Sequence, residues 1–331
     1  MGSEMCIRDR FIASQMDDDD SAQDTVDTES QQHDEPCSIE NEAAESPLKE
    51  LDNLVGLHSV KEKLRSYEKL ILFNNMRLEQ KMPALKLPLH AMFWGSPGTG
   101  KTTVAKRMGL MLRRAGVLSE GHVVIKERAT LLGPYYSNEE TNTLKAIEEA
   151  QGGILFIDEA YQLYQPDDPR DPGKFVIEAL MTALADESKR DWMLILAGYK
   201  EPMKRMFEMN PGLKSRIPES NIYVFDDFTE DELMEIAENY LNRNKFTLTD
   251  DARQALSGRL GSDYKHRDDS FGNARHVLNL IQTEILPTMA SRVVTSEATG
   301  VAALSQIQLC DIPQPVKHSC SQRPRIGYTF S

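Results

Sequence analysis

Eight residues, Gly95-Ser96-Pro97-Gly98-Thr99-Gly100-Lys101-Thr102, constrain this 331-residue chain more than any other stretch. The apolar run Leu89–Trp94 leads into them, and a helical pattern from Thr103 to Leu112 leads out. Strand, glycine-rich turn and helix N-terminus, in that order, are what a phosphate-binding loop requires. Glycines let the backbone curl until successive N–H groups face one concavity, and the helix dipole adds positive potential there. The Lys101 ammonium can then reach the β- and γ-phosphates, while the Thr102 hydroxyl can ligate Mg²⁺. Gly95 through Thr103 are therefore the candidate nucleotide-binding residues, with ATP and Mg²⁺ as the expected cofactors.

A second half of such a site lies 57 residues after Lys101, in Gly152-Gly153-Ile154-Leu155-Phe156-Ile157-Asp158-Glu159-Ala160. Four consecutive apolar residues ending in Asp-Glu read as a strand buried on both faces, as in a parallel sheet. Its acids then emerge at the carboxyl edge, where doubly wound sheets bind ligands. Asp158 suits the metal side of phosphoryl transfer, and Glu159 suits orienting or deprotonating the attacking water. The bland reading, two solvated acids at a strand end, loses ground because the phosphate loop precedes them at a suitable distance.

Strands alternate with helices around these motifs. An amphipathic pattern runs from Val60 to about Leu78, and prolines at 83 and 88 break it. Further strands are expected at His122–Ile125, Trp192–Ala197 and Asn221–Phe225, with helices at Glu139–Ala150, Lys174–Ser188 and Glu201–Glu208 between them. This is an α/β core over 51–225. From Thr229 the pattern is helical only (230–241, 250–260, 273–286), with Thr229 and Thr249 as caps. An all-helical second domain over 226–300 and a loose tail over 301–331 are expected.

Net charge is −14, yet residues 16–50 alone hold 13 acids against one lysine, Lys49. The acidic N-terminal segment, 1–50, reads as disordered; within it, residues 1–10 (MGSEMCIRDR) read as a translated adapter sequence and carry no fold pattern. The near-neutral remainder gives no electrostatic case for nucleic-acid binding. No apolar run reaches the ~20 residues of a membrane span. The cysteines at 6, 37, 310 and 320 form neither a disulfide framework nor a zinc spacing, which suits a reducing, cytoplasmic setting.

With GSPGTGKT and ILFIDE together, the chain resembles the AAA+ ATPases. GGILFIDEAYQLY, LILAGY, NPGLKSRI and GNAR narrow the resemblance to the CbxX/CfqX branch, which includes CbbX-type Rubisco activases and SpoVK-like proteins; it spans about residues 51–290. The resemblance implies a doubly wound parallel sheet with a small helical lid. It also implies an ATPase assembled as a homo-oligomeric ring, expected to be a hexamer, that acts on a protein client. Position by position, Arg216 matches the arginine finger that reaches the neighbouring subunit's γ-phosphate, and a guanidinium acting in trans would stabilise charge on the transferring group. Arg275 matches a phosphate-contacting arginine at the start of a lid helix. Val55 and Gly56 match the segment that packs on adenine, and Tyr135 matches the aromatic grip of a pore loop. From its residues alone, the segment around Tyr135 reads equally as a turn packing on the core. Tyr199 stands where many relatives carry a polar asparagine, so that role stays unassigned. Ser137 replaces a usual glycine, which puts Rubisco as the client in doubt.

Two other functions remain open from the residues. One is a nucleic-acid motor, which steep salt-dependent DNA binding with DNA-stimulated hydrolysis would reveal. The other is a nucleotide-gated scaffold with little turnover, which a phosphate-release assay separates from a motor.

Overall fold

Five parallel strands, side by side in the order Val123–Lys126, Ile154–Ile157, Met193–Gly198, Ala91–Gly95 and Ile222–Phe225, form the sheet that carries the phosphate loop. The computed structural model describes residues 51–133, 138–165, 168, 170–186, 191–268, 271–296 and 300–313, all within one compact unit, Glu45–Ser331. The acidic segment 1–50 and Tyr135 with its neighbours 134–137 lie outside the described residues.

Helix α1 (His58–Glu79) buries Val60, Leu64, Tyr67 and Ile71, a stripe at helical spacing. Strand β1 (Ala91–Gly95) follows and feeds α2 (Lys101–Arg114) through the phosphate loop. Next come β2 (Val123–Lys126), α3 (Arg128–Leu132), α4 (Glu139–Glu149) and β3 (Ile154–Ile157), then α5 (Gly173–Ala185) and β4 (Met193–Gly198). Helices α6 (Lys200–Met209) and α7 (Pro211–Arg216) precede β5 (Ile222–Phe225). Helix α7 exists because Pro211 presets its first residue and the Asn210 side chain accepts the N–H groups of Gly212 and Leu213.

Alternation along the strands divides the core in two. Met92 and Trp94, Leu155 and Ile157, and Leu194 and Leu196 pack with α4, α5 and α6. Phe93, Phe156, Ile195, Tyr223 and Phe225 point the other way, against α1 and α2. Both faces are thus covered, which explains why β1, β3 and β4 read as unbroken apolar runs. Register pairs β1 with β4 (Phe93 with Ala197) and with β5 (Trp94 with Val224). Gly95 and Asp158 consequently leave the sheet from the same, carboxyl edge.

The lid starts at α8 (Glu230–Arg243), where Thr229 and Glu232 form a reciprocal capping box. Strand β6 (Thr247–Leu248) precedes α9 (Asp250–Lys265), which Thr249 caps through the Ala252 N–H. Helix α10 (Ala274–Asn279) runs through a wider π turn at Leu280–Ile285 into α11 (Leu286–Thr295). Pro287 lacks the N–H that a continuous α-helix would use there, and the wider turn before it accommodates the loss.

Two features differ from the sequence expectation. The lid contains a parallel strand pair, β6 with β7 (Gln306–Ile307), just after α12 (Val301–Ser305). Residues 301–313, expected as the start of a loose tail, fold onto the lid. Ile307 and Ile312 enter its core, and Asp311, wholly buried, accepts two hydrogen bonds from the Arg292 guanidinium at 2.8 Å. Two-residue strands and an isolated ion pair leave no period in a sequence, which is why this segment read as tail.

Candidate functional site

The phosphate loop bends as its glycines allow. Gly98 and Gly100 take φ of 70° and 90°, the left-handed region open to glycine at little cost. A Cβ on Gly98 would sit 1.9 Å from the Gly272 carbonyl oxygen, so the loop touches the lid there with no room to spare. Thr99, wholly buried, donates its hydroxyl to the Ser96 carbonyl at 2.8 Å. Lys101, nearly buried, donates to the Gly95 and Ser96 carbonyls at 2.9 and 2.8 Å. Burial lowers its pKa, and the Arg275 charge adds to this, while Asp158 and Glu159 favour the charged form. A desolvated ammonium held on a curled backbone matches what a triphosphate needs.

Asp158 is tied into the sheet by its N–H, which donates to the Lys126 carbonyl, and its Oδ1 accepts the Glu159 N–H at 3.0 Å. Glu159 takes φ 47° and ψ 38°, a left-handed conformation uncommon for a residue with a Cβ. Such strain is found where a side chain must be aimed. Burial raises the Glu159 carboxyl above the usual carboxylate range and the Asp158 charge adds to this; a hydrogen bond with Tyr161 and the Lys101 charge oppose it. Burial, together with that hydrogen bond, pushes the Tyr161 hydroxyl up to about 12. Its ring meets Tyr199 edge-on at 6.1 Å. Asp158, Glu159 and Lys101 therefore form one electrostatic cluster at the carboxyl edge of the sheet.

Among the described residues no group of three His, Cys, Asp or Glu side chains could hold a metal. A divalent ion here would take oxygen from Thr102, in the first turn of α2, and from Asp158, together with phosphate oxygens. That sparse oxygen set suits Mg²⁺, which binds through few protein ligands plus phosphates.

Beside the loop lies a 230 Å³ cavity lined by Val55, Leu57, Gly100 and Thr103 from the α/β domain and by Ile236 and Tyr240 from the lid. Gly56 and Leu57, both left-handed (φ 62° and 58°), turn the chain between the lining residue Val55 and the start of α1. This slot is mostly apolar and opens next to the phosphate loop, as a nucleobase requires. Ile236 and Tyr240 escaped the sequence reading, although their spacing of four marks one face of α8.

Arg275 is exposed two residues beyond the buried Asn273, and its charge is felt at both Lys101 and Tyr199. The Ala274 N–H donates to the Gly98 carbonyl at 3.2 Å, so this corner of the lid is bonded to the loop. Arg216 lies elsewhere. It ends α7, donates to the Gly212 carbonyl and Ser215 hydroxyl, and shares a 540 Å³ cavity with Pro88, His90 and Trp192. Those three precede β1 and β4, so Arg216 sits at the amino edge of the sheet. The five residues of β1, ~16 Å of strand, separate it from its own phosphate loop. The structure thus gathers Val55, Lys101, Thr102, Asp158, Glu159 and Arg275 and leaves Arg216 apart. Tyr135 lies outside the described residues.

Comparison with known proteins identifies the family. Residues 91–221 match the ATPase family associated with various cellular activities (AAA), and residues 229–322 match the AAA lid domain. The protein is thus an ATP-hydrolysing enzyme of the AAA class. Protein CbbX of Cereibacter sphaeroides is 36% identical over 263 residues, covering 79% of this chain and 83% of that one. A CfxQ homolog of Galdieria sulphuraria is 39% identical over 238 residues (71% and 75% covered). The chloroplastic ribulose bisphosphate carboxylase/oxygenase activase of Cyanidioschyzon merolae is 37% identical over 235 residues (71% and 78% covered). The chain belongs to the CbbX/CfxQ family, as its motifs led us to expect. A RuvB variant of Thermotoga maritima shares the fold at TM-score 0.50 and 19% identity, covering 79% of this chain and 69% of that one. Among the described residues no helix is long and apolar enough to cross a membrane.

Proposed function

We propose that the chain is a ring-forming motor that binds ATP with Mg²⁺ and uses its hydrolysis to rearrange a protein client. In this reading the α/β domain (51–225) holds the nucleotide, with the base against Val55 and Gly56 and the phosphates along Gly95–Thr103. Lys101 neutralises the β- and γ-phosphates. The Thr102 hydroxyl and Asp158 carboxylate are the protein's donors to Mg²⁺, which supplies charge neutralisation when bound. Glu159, its carboxyl raised by burial, accepts a proton from the attacking water. Arg275 on the lid (226–313) reaches the phosphates of the same chain, and Arg216 reaches those of a neighbour. Tyr135 is the candidate grip on the client.

One observation carries the ring: Arg216 stands at the sheet edge opposite Lys101, Asp158 and Glu159. A second copy, stacked edge to edge, brings the two halves together. The name of the Cyanidioschyzon merolae relative supports a protein client for this chain as well, and makes Rubisco the first candidate.

The test is complementation. Lys101→Ala and Arg216→Ala chains are each expected to hydrolyse ATP poorly on their own. Mixed, they build seams with an intact Lys101 on one side and an intact Arg216 on the other, and activity should return. A mixture no more active than its parts would rule out action in trans.

A further inference from the structure

Asn273 has no assigned role, yet it is wholly buried and uses both ends of its amide. Its Oδ1 accepts the Phe228 N–H at 3.1 Å. Its Nδ2 donates to the Asp227 carboxylate at 3.0 Å and to the Pro97 carbonyl at 3.3 Å, with the Phe271 carbonyl also at 3.3 Å. One side chain therefore joins the phosphate loop, the 226–228 linker into the lid, and the segment that starts α10.

Three details argue against a merely local role. Asn273 precedes α10 at the N-cap position, yet its side chain caps nothing. Its backbone, at φ 48° and ψ −124°, lies where glycine is at ease and a residue with a Cβ is strained. Backbone preference would thus favour glycine, and what asparagine adds is the amide. Finally, its neighbours repeat the contact: the Ala274 N–H bonds the Gly98 carbonyl, and the Gly272 carbonyl abuts Gly98.

We propose that Asn273 is a positioning residue for ATP hydrolysis, pinning the lid to the Pro97–Gly98 edge of the phosphate loop and so fixing where Arg275 meets the nucleotide. The proposal rests on the phosphate-contacting reading of Arg275. The linker is the only covalent path from β5 into the lid, so a lid swinging on it must break the Asn273 bonds or carry the loop along. A buried donor or acceptor left unpaired is costly, which makes the pin a two-state latch. In Asn273→Asp the donor to Pro97 is lost and a carboxylate faces Asp227. In Asn273→Gly the backbone relaxes and the latch disappears.

The test is binding of adenylyl-imidodiphosphate and steady-state hydrolysis by the full chain, with thermal melting as the control for folding. Asn273→Gly and Asn273→Asp should each weaken binding and raise KM by about tenfold or more, with a lowered but still cooperative melting transition that lies above the assay temperature. Combined with Arg275→Ala, neither should add much to the loss from Arg275→Ala alone, because coupled sites are not additive. Multiplying losses, or binding within about twofold of the parent chain, overturn the proposal. If Arg275→Ala itself changes nothing, the Arg275 reading fails. If Arg275→Ala weakens binding and the Asn273 variants do not, only the pin fails. Wild-type hydrogen exchange supplies a readout that needs no variant: the nucleotide should slow exchange in 226–230 and 272–279 together. Protection of the phosphate loop without those two segments also overturns it.

Discussion

Replacing Arg292 by leucine tests whether residues 301–313 belong to the lid. Asp311 is wholly buried and Arg292 is 23% exposed, so the pair is mostly shielded from water. Asp311 takes two bonds from the guanidinium at 2.8 Å and one from the Gln308 N–H at 2.9 Å. Arg292→Leu keeps most of the apolar stem and strands the carboxylate with a backbone donor and the weak Cys310 thiol contact. Removing one partner of a buried ion pair costs about 3–5 kcal/mol. Because the guanidinium is partly wet, the low end, about 3 kcal/mol, is expected, a large share of the ~5–15 kcal/mol that holds a domain together. Both tryptophans, Trp94 and Trp192, lie in the α/β core, whereas far-UV circular dichroism also sees the lid helices. Urea unfolding of the variant should therefore show the dichroism transition moving well ahead of the fluorescence transition.

Acid reports the same pair. Burial pushes the Asp311 pKa up, but the Arg292 bonds and charge and the Gln308 N–H outweigh it, and the net shift is down. A depressed carboxylate stabilises the fold above its unfolded value, ~3.9, and loses that contribution as pH falls through the folded one. The gap between parent and Arg292→Leu should thus be full at neutral pH and close as pH falls, first as the variant's stranded carboxylate takes up a proton and then, below about 3.9, as the parent loses its own contribution. A gap under about 1 kcal/mol at pH 7, or one that ignores acid, would refute the reasoning.

Other consequences are as direct. Gly98→Ala meets the Gly272 carbonyl at 1.9 Å and forces a left-handed alanine costing about 1–2 kcal/mol, so nucleotide affinity should drop at least tenfold by fluorescence titration. Glu159→Gln should keep ATP bound while turnover collapses; brisk phosphate release by that variant would remove Glu159 from its role. Because the Glu159 pKa is raised, its base form is lost sooner on acidification, and the acid limb of kcat should lie above the ~4.3 of a free glutamate. Asp171→Ala leaves the Arg128 guanidinium without its buried partner and should cost about 3 kcal/mol in urea unfolding, read by tryptophan fluorescence. Asp171→Asn, which keeps an oxygen facing Arg128, should cost less.

Most of the α/β architecture was legible because it is periodic. Gly95–Thr102 fixes a strand and a helix on its flanks, and Ile154–Ile157 is apolar for want of a wet face. The residues that complete the site were less visible for physical reasons. Ile236 and Tyr240 form a pocket only once α8 folds over Val55, and the sequence holds no sign of that approach. Asn273 stands within GNAR, but its partners, Pro97 and Asp227, lie 176 and 46 residues away, so nothing local in the sequence signals what it joins. Tyr161, two residues past Glu159, does have a local signal, since the turn after a buried strand must aim its side chains back over the strand end. The ordered segment 301–313 was hidden by its brevity: two core isoleucines and one ion pair make no pattern.

If Arg216 acts in trans as proposed, its separation from Lys101 by the length of a strand also sets how the enzyme should respond to dilution. On that proposed action in trans, each chain would carry the left half of one reaction centre and the right half of another, so an open stack would have one fewer working centre than it has members, and a closed circle as many. Rate per chain should then rise steeply with concentration and level off once circles close, and a chain defective in one half should silence one shared centre while its other half still serves the other.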